Sequence, residues 1–339
     1  MRIWVAALVF TVAITVKLLV RRRAPDGGWF TDSSRSAMFF RRRPVQVTTY
    51  DAATNSWNRV DDAGAVDRDK LVVTTFNVWF EPYFADQRYR AIAALLSREM
   101  PDIMVFQEIT PTALSIFLTQ PWIREHYRSA AVVGGRLGNY GMLMLSRVPT
   151  ARVTYTRLPS RLSRGFLRAD FTVNGKPLAV CSIHLESGKR RARLRGRQLR
   201  RFYRALRSVD DAIVLGDFNM RDTENARITP PYHDVWPTLR PGEDGFTEDT
   251  AINHMRYDSK NKHRQVRFDR VLVKGPAWRP ANIDLLGTEA ISRTQPRVFP
   301  SDHFGVICTV VKQASSPGQP SPRRGRRPRF GVQRIRRPR

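Results

Sequence analysis

The apolar run Ala212-Ile213-Val214-Leu215 breaks off into Gly216-Asp217-Phe218-Asn219-Met220-Arg221-Asp222. A short apolar run of this kind fits a strand buried on both faces, and such a strand ends where polar residues begin. Alternation along an extended backbone predicts that Asp217 and Asn219 project to the same side. A carboxylate and an amide side by side at a strand end can hold one reactive water or phosphate oxygen between them. Gly, Asp and Asn are also common turn formers, so the stretch gains its meaning from the rest of the chain.

The region from Lys70 to Lys312 alternates between strand and helix patterns. Strands are predicted at residues 71–76, 103–106, 142–145, 152–158, 166–173, 178–183, 212–215, 266–273 and 304–311, with Asn174-Gly175 as a hairpin signal. Ala91, Ile92, Leu95 and Leu96 mark an amphipathic helix, and Pro111 can open another. Residues 189–207 carry Leu199, Phe202, Tyr203 and Leu206 at helical spacing. Strands in two groups, each covered by helices, predict two mixed sheets packed face to face with helices outside.

Polar residues recur at the ends of those strands. Asn77 follows Phe76, Gln107-Glu108 follow Phe106, and His184 closes Val180-Cys181-Ser182-Ile183. Asp269 sits within Arg267-Phe268-Asp269-Arg270, and Ser301-Asp302-His303 precedes the last strand. Singly, each has a structural explanation as a cap, a solvated carboxylate or a satisfied imidazole. Together they combine oxygen ligands, imidazoles and amides, an inventory suited to Mg²⁺-assisted attack of water on a phosphodiester.

Charge narrows the partner. The 339 residues include 58 Lys or Arg against 30 Asp or Glu, a net charge of +28, which points to a polyanion such as nucleic acid or an anionic membrane face. Cys181 and Cys308 each lie in an apolar run and read as reduced core residues of an intracellular domain. Residues 1–20 are a candidate transmembrane anchor, apolar from residue 3 to residue 20 except for Thr11, Thr15 and Lys17, and followed by Arg21-Arg22-Arg23. The positive-inside rule then leaves the remainder nuclear or cytosol-facing. Residues 21–69 read as a linker with a small hairpin, 70–312 as the catalytic domain, and 313–339 as a disordered basic tail.

The ordered set Thr75-Phe76-Asn77, Phe106-Gln107-Glu108, His184-Leu185-Glu186-Ser187, Gly216-Asp217-Phe218-Asn219, Arg267-Phe268-Asp269-Arg270 and Pro300-Ser301-Asp302-His303 resembles the endonuclease/exonuclease/phosphatase superfamily. Within it, His184 to Ser187, Met220-Arg221-Asp222, Asp284-Leu285-Leu286-Gly287 and Phe299 to His303 are most similar to the type 2 tyrosyl-DNA phosphodiesterase subgroup. The resemblance implies a four-layer α/β/β/α sandwich and an Mg²⁺-dependent phosphodiesterase, with Mn²⁺ as a substitute metal. Its substrate would be a 5′-phosphotyrosyl linkage at a DNA or RNA end. It gives Glu108 the metal, with Asp302 beside it and Asn77 on a metal ligand or phosphate oxygen. It makes Asp217, helped by Asn219, the activator of water. It gives His303, steered by Asp269, and His184 the charge growing on phosphorus, and places Ser187 and Arg221 on the substrate.

Two positions depart from the resembling pattern. Trp79 stands where many members have an acid, which shifts metal binding toward Glu108, waters and Glu81. Glu248, in Thr247-Glu248-Asp249-Thr250, stands where the subgroup often has a groove-lining aromatic, so weaker stacking and phosphate approach are expected. A less selective endonuclease and a membrane-associated lipid phosphodiesterase are the alternatives, the latter favoured by the apolar N-terminus. The arginine-rich helix after His184, carrying Lys189, Arg190, Arg191, Arg193, Arg195, Arg197, Arg200, Arg201, Arg204 and Arg207, is expected to turn a basic outer face toward a phosphate backbone.

Overall fold

The structure, a computed structural model, describes residues 42–134 and 140–313, with the backbone of a short pairing between Arg22–Arg23 and Trp29–Phe30. The expected anchor within residues 1–20 and the expected tail beyond Gln313 lie outside the described residues. Among the described residues no helix is long and apolar enough to cross a membrane.

Two mixed sheets form the centre. One has seven strands in the order Tyr232–Asp234, Asp269–Lys274, Ala212–Asp217, Lys176–His184, Gly165–Val173, Val153–Arg157 and Arg43–Val45. The other has eight, in the order Trp278–Leu286, Gly305–Lys312, Lys70–Asn77, Ile103–Ile109, Gly141–Ser146, Arg128–Val132, Val47–Asp51 and Ser56–Arg59. Gln46 alone separates Arg43–Val45 from Val47–Asp51, so the chain steps from one sheet to the other across a single residue. The expected hairpin of residues 45–60 is present as Val47–Asp51 paired with Ser56–Arg59, at the outer edge of the eight-stranded sheet.

Alternation within strands assigns the layers. Ile103 and Val105, beside Leu71 and Val73 of the neighbouring strand, face the other sheet and share a core with its Ile213, Leu215 and Val271. Met104 and Phe106 face outward onto the helices Ala85–Glu99, Pro111–Leu118 and Pro121–His126. The helix Ala192–Ala205 covers the seven-stranded sheet through Leu199, Phe202 and Leu206, packed on Phe166, Cys181, Ile183 and Val214. Helix, sheet, sheet and helix make the expected four-layer sandwich. Cys181 and Cys308 are free and buried, as read from their apolar runs.

The Ala192–Ala205 helix shows why burial outweighs local charge. Arginines at i and i+4 destabilise a helix by about 0.2–0.5 kcal/mol per pair, whereas each buried Leu or Phe contributes about 1.5–3 kcal/mol. Three such anchors therefore hold a strongly cationic helix in place. At the Asn174-Gly175 turn, positive φ values of 53° and 69° match the twist of the flanking strands, and Val173 pairs with Lys176.

In both sheets one parallel pair sits among antiparallel neighbours. Lys70–Asn77 lies parallel to Ile103–Ile109, and Lys176–His184 lies parallel to Ala212–Asp217. Such neighbours need a crossover, supplied by Ala85–Glu99 in one sheet and Ala192–Ala205 in the other. Both pairs end at the same edge of the sandwich, where Asn77 of one meets Asp217 of the other.

Gly216 is the tightest point of that edge. Its φ is +144°, and a Cβ there would meet the Ile183 carbonyl oxygen at 2.0 Å. Gly216→Ala is expected to destabilise the fold by about 3 kcal/mol or more, read as a fall in the urea midpoint at unchanged slope.

Candidate active site

Strand register brings the polar strand ends together. His184 pairs directly with Asp217, and Asp217 with Asp269 across the antiparallel neighbour. On the other sheet Asn77 pairs with Gln107, next to Glu108. The strand Gly305–Lys312 runs antiparallel to Lys70–Asn77 with Val306 opposite Thr75, which carries Asp302 and His303 to the same edge. Of these residues Asn77, Glu108, Asp217, Asp302 and His303 line one cavity of about 520 Å³, a size typical of ligand sites.

Asp217 is 2% exposed and fully engaged. Asn77 Nδ2 donates to Asp217 Oδ2 at 3.2 Å, and the Asn219 amide reaches the same oxygen at 2.8 Å. The Asn219 backbone N–H donates to Oδ1 at 2.8 Å. Asn219 itself has φ 51°, so the two side chains meet through a turn closed by the Asp217 carboxylate. The expectation that extended alternation would align them is corrected on this point: the strand ends at Asp217. Burial pushes the Asp217 pKa up, but the imidazoles of His184 and His303 and the Arg164 guanidinium win and hold it below the usual carboxylate range. Asn77 is oriented at both ends, since its Oδ1 accepts from the Trp79 N–H at 3.1 Å.

The surroundings push the two imidazoles in opposite directions, His303 toward the charged form and His184 toward the neutral one. His303 Nδ1 lies 2.7 Å from Asp269 Oδ2. Burial opposes charge there, yet Asp269 and Asp302 raise the His303 pKa well above the ordinary value. His184 Nδ1 instead lies 2.9 Å from the Arg164 guanidinium, which can only donate. That contact makes Nδ1 an acceptor and leaves the proton on Nε2. Burial and Arg164 lower the His184 pKa to about 4. Its Nε2 is buried without an aligned hydrogen-bond partner, 3.3 Å from Asp217 Oδ2 and 3.9 Å from Glu108 Oε1.

Glu108 occupies a β-bulge, where the register against Gly141–Ser146 slips between Gln107 and Ile109. Its φ of 61° turns the carboxylate into the cavity, while Gln107 points between the sheets to Thr75 and Ser182. Burial raises the Glu108 pKa to about 7, more than Arg164 lowers it. The Asp302 pKa is raised as well, again by burial first. Carboxylates buried with too little compensating charge suit a hard divalent cation. Asp217, Asp269 and His303 also offer ligand atoms within 4.8 Å of one another. The short Asp269–His303 hydrogen bond already uses part of that trio, whereas the closest hydrogen bond to Glu108 is a 3.4 Å contact from the Phe80 N–H. Glu108 thus has the freer carboxylate for a cation.

Ser187 and Arg221 line the same cavity, and the Arg221 guanidinium sits 5.8 Å from the Phe268 ring, which in turn stacks on His303. Trp79 is a packing residue: it is buried with Met255, Val298, Phe299 and Phe304, under the Arg88 guanidinium at 4.7 Å. Glu81, the other acid considered near Trp79, also lines the cavity. Glu248 is 1% exposed and held by Arg256 at 2.8 Å and Arg264 at 3.0 Å. The charge expected to repel phosphate is therefore neutralised, and that wall is basic through Arg256, Lys260, Lys262 and Arg264.

Sequence reasoning missed Arg164, Tyr140 and Phe80, which line the cavity. A signal for Arg164 existed. Counting back along the Asn174-Gly175 hairpin sets Gly165 opposite His184 and puts Arg164 one residue beyond. Phe80 and Tyr140 stack at 4.8 Å across loops, a contact no local pattern encodes.

The Endonuclease/Exonuclease/phosphatase family matches residues 74–303 of this chain. Similar proteins include tyrosyl-DNA phosphodiesterase 2 of Gallus gallus, 28% identical over 238 residues that cover 66% of this chain and 61% of that protein. The Homo sapiens protein of the same name is 26% identical over 279 residues, covering 77% of this chain and 74% of that protein. The crystal structure of D. rerio TDP2 complexed with single strand DNA product is similar with a TM-score of 0.61 and 25% identity, covering 72% of this chain and 99% of that one. A truncated Caenorhabditis elegans TDP2 shares the fold with a TM-score of 0.61 at 22% identity, covering 71% of this chain and 97% of that one. With these matches and the strand-end site in place, the chain belongs to the endonuclease/exonuclease/phosphatase family.

Proposed function

We propose that this chain is an Mg²⁺-dependent phosphodiesterase that hydrolyses a 5′-phosphotyrosyl linkage at a DNA or RNA end and leaves a 5′-phosphate. The observation that carries the reading is the buried Asp217 carboxylate, set by Asn77 and Asn219 beside a neutral His184 and close to the Asp269–His303 pair. The names of the similar proteins and the basic cavity walls support a tyrosyl-linked nucleic acid as substrate. Free, buried thiols suit a reducing compartment inside the cell.

Asp217 accepts the proton of the attacking water, and the amides of Asn77 and Asn219 keep the receiving oxygen in place. His303 is a charged donor and His184 a neutral Nε2–H donor, both available to the phosphoryl oxygens as negative charge grows on them. Asp269 holds the charge on His303 without touching substrate. Glu108, with Asp302 and Asn77 nearby, would hold the divalent ion, which when bound neutralises phosphate charge and polarises the phosphorus centre. Ser187 and Arg221 bind the substrate phosphate. A phenol ionises at about pKa 10, so tyrosine leaves more readily than a sugar alkoxide and the adduct bond breaks in preference to internal bonds.

Full-length protein is expected to release tyrosine from a 5′-tyrosyl oligonucleotide, to stop in EDTA, and to recover with Mg²⁺ or Mn²⁺. Full turnover in EDTA, equal cutting of internal bonds, or exclusive processing of a 3′-tyrosyl end would each overturn part of the reading. Glu108→Gln should lose most activity and need more metal to regain it. Asp217→Asn should lower turnover by about 10²-fold or more while binding persists. In Asp269→Asn one of the carboxylates that raise the His303 pKa is gone while the burial that lowers it remains, so His303 should lose its proton at lower pH than in the unaltered protein. Its rate should then fall at lower pH than that of the unaltered protein, which a pH–rate profile reads directly.

A further inference from the structure

We infer that the outer face of the Ala192–Ala205 helix is a track for the phosphate backbone of the nucleic acid whose end enters the cavity, an inference that rests on the phosphodiesterase reading above. Arg193, Arg197, Arg200 and Arg204 are exposed on this helix, and Arg207 is exposed in the turn after it. On the helix the offsets of 4, 7 and 11 residues from Arg193 fall within about 60° of helical arc and extend about 16 Å along the axis. Arg195, expected on the outer face, is instead fully buried.

Arg195 fixes where the track begins. Its guanidinium donates to the carbonyls of Glu186 and Gly188, each at 2.9 Å, and pairs with Glu224. Gly188 and Lys189 line the cavity, so the helix starts at the cavity rim and the stripe leads away from it. Arg221, on the far side of the same joint, has its N–H directed at Glu224.

Charge and exposure select the partner. No Asp or Glu occurs between Ser187 and Ser208. Among the described residues, none of the five stripe arginines is paired with a carboxylate. Like charges one turn apart destabilise the free protein, and a polyanion relieves that repulsion. Every stripe cation is Arg, whose planar fork matches phosphate oxygens. A helix lying in a membrane surface needs an apolar face for the bilayer. Here that face is already used by Leu199, Phe202 and Leu206 in the core, and none of the exposed large apolar residues, Phe80, Tyr83, Leu162 and Ile252, lies on this helix.

The test replaces Arg193, Arg197, Arg200, Arg204 and Arg207 together by Gln in the full chain, with circular dichroism as the check on folding. On a 5′-tyrosyl oligonucleotide of about 20 nucleotides, kcat/KM should fall at least about tenfold, and its log–log slope against salt should flatten by about 3. Turnover of the p-nitrophenyl ester of thymidine 5′-phosphate, which has no backbone to track, should stay unchanged. An unaltered salt slope, or equal losses on both substrates, would overturn the track. Binding of an adduct-free oligonucleotide in EDTA, read by fluorescence anisotropy, separates the two readings. If the unaltered protein cleaves neither substrate but the variant still loses this binding, the phosphodiesterase reading fails and the track stands. Arginine-dependent flotation with phosphatidylserine vesicles, with oligonucleotide binding unaffected, would assign the face to a membrane and overturn the inference.

Discussion

Buried carboxylates set the strictest constraint on this molecule, because a charge removed from water has to be met by donors or by opposite charge. Glu108, Asp217, Asp269 and Asp302 are each at most 8% exposed and gather at one edge of the sandwich. Their partners come from distant parts of the chain. Asn77 reaches Asp217 from the other sheet, His303 reaches Asp269 from the approach to the last strand, and Arg256 reaches Asp302 at 3.3 Å from a helix between strands. The two sheets have to hold their relative position for these charges to be tolerated. The partnering is uneven: Asp217 is saturated by hydrogen bonds, while Glu108 is left with the most uncompensated charge.

Buried arginines act as the joints around that edge. Arg88 donates to the carbonyls of Val78, Trp79, Glu81, Tyr83 and Pro300, tying the loop after Asn77 to the segment before Asp302. Arg195 ties the loop bearing Ser187 to the loop bearing Arg221. Arg270 and Arg267 converge on Asp234 and brace the edge strand Tyr232–Asp234 beside the Asp269 strand. A guanidinium suits such joints because its five N–H donors lie in one rigid plane and its charge persists on burial. Much of the net positive charge is solvated surface, but these arginines belong to the architecture of the site.

Imidazole charge is decided by what each ring nitrogen faces. Asp269 makes a charged His303 favourable, and Arg164 makes a charged His184 unfavourable. The site thereby presents one charged and one neutral donor near the same carboxylate, Asp217.

The apolar runs, the Asn174-Gly175 turn and the helical stripe of Leu199, Phe202 and Leu206 determined the layered fold, because periodicity reports which face is buried. Polar residues closing those runs determined most of the site, since a parallel pair has to place both strand ends together. Local pattern stopped where the backbone leaves regular geometry or the partner is remote. Glu108 turns into the cavity only through a bulge, and Asn219 meets Asp217 through a left-handed turn. The strand Trp278–Leu286 was unread because its polar and apolar residues do not alternate and its burial is partial. Tyr140 and the Arg256–Glu248–Arg264 group carry no local signature, and tertiary packing alone decided their places. The order of strand ends is written along the chain, whereas the charge each buried group carries depends on neighbours that only the closed sandwich brings within a few ångströms.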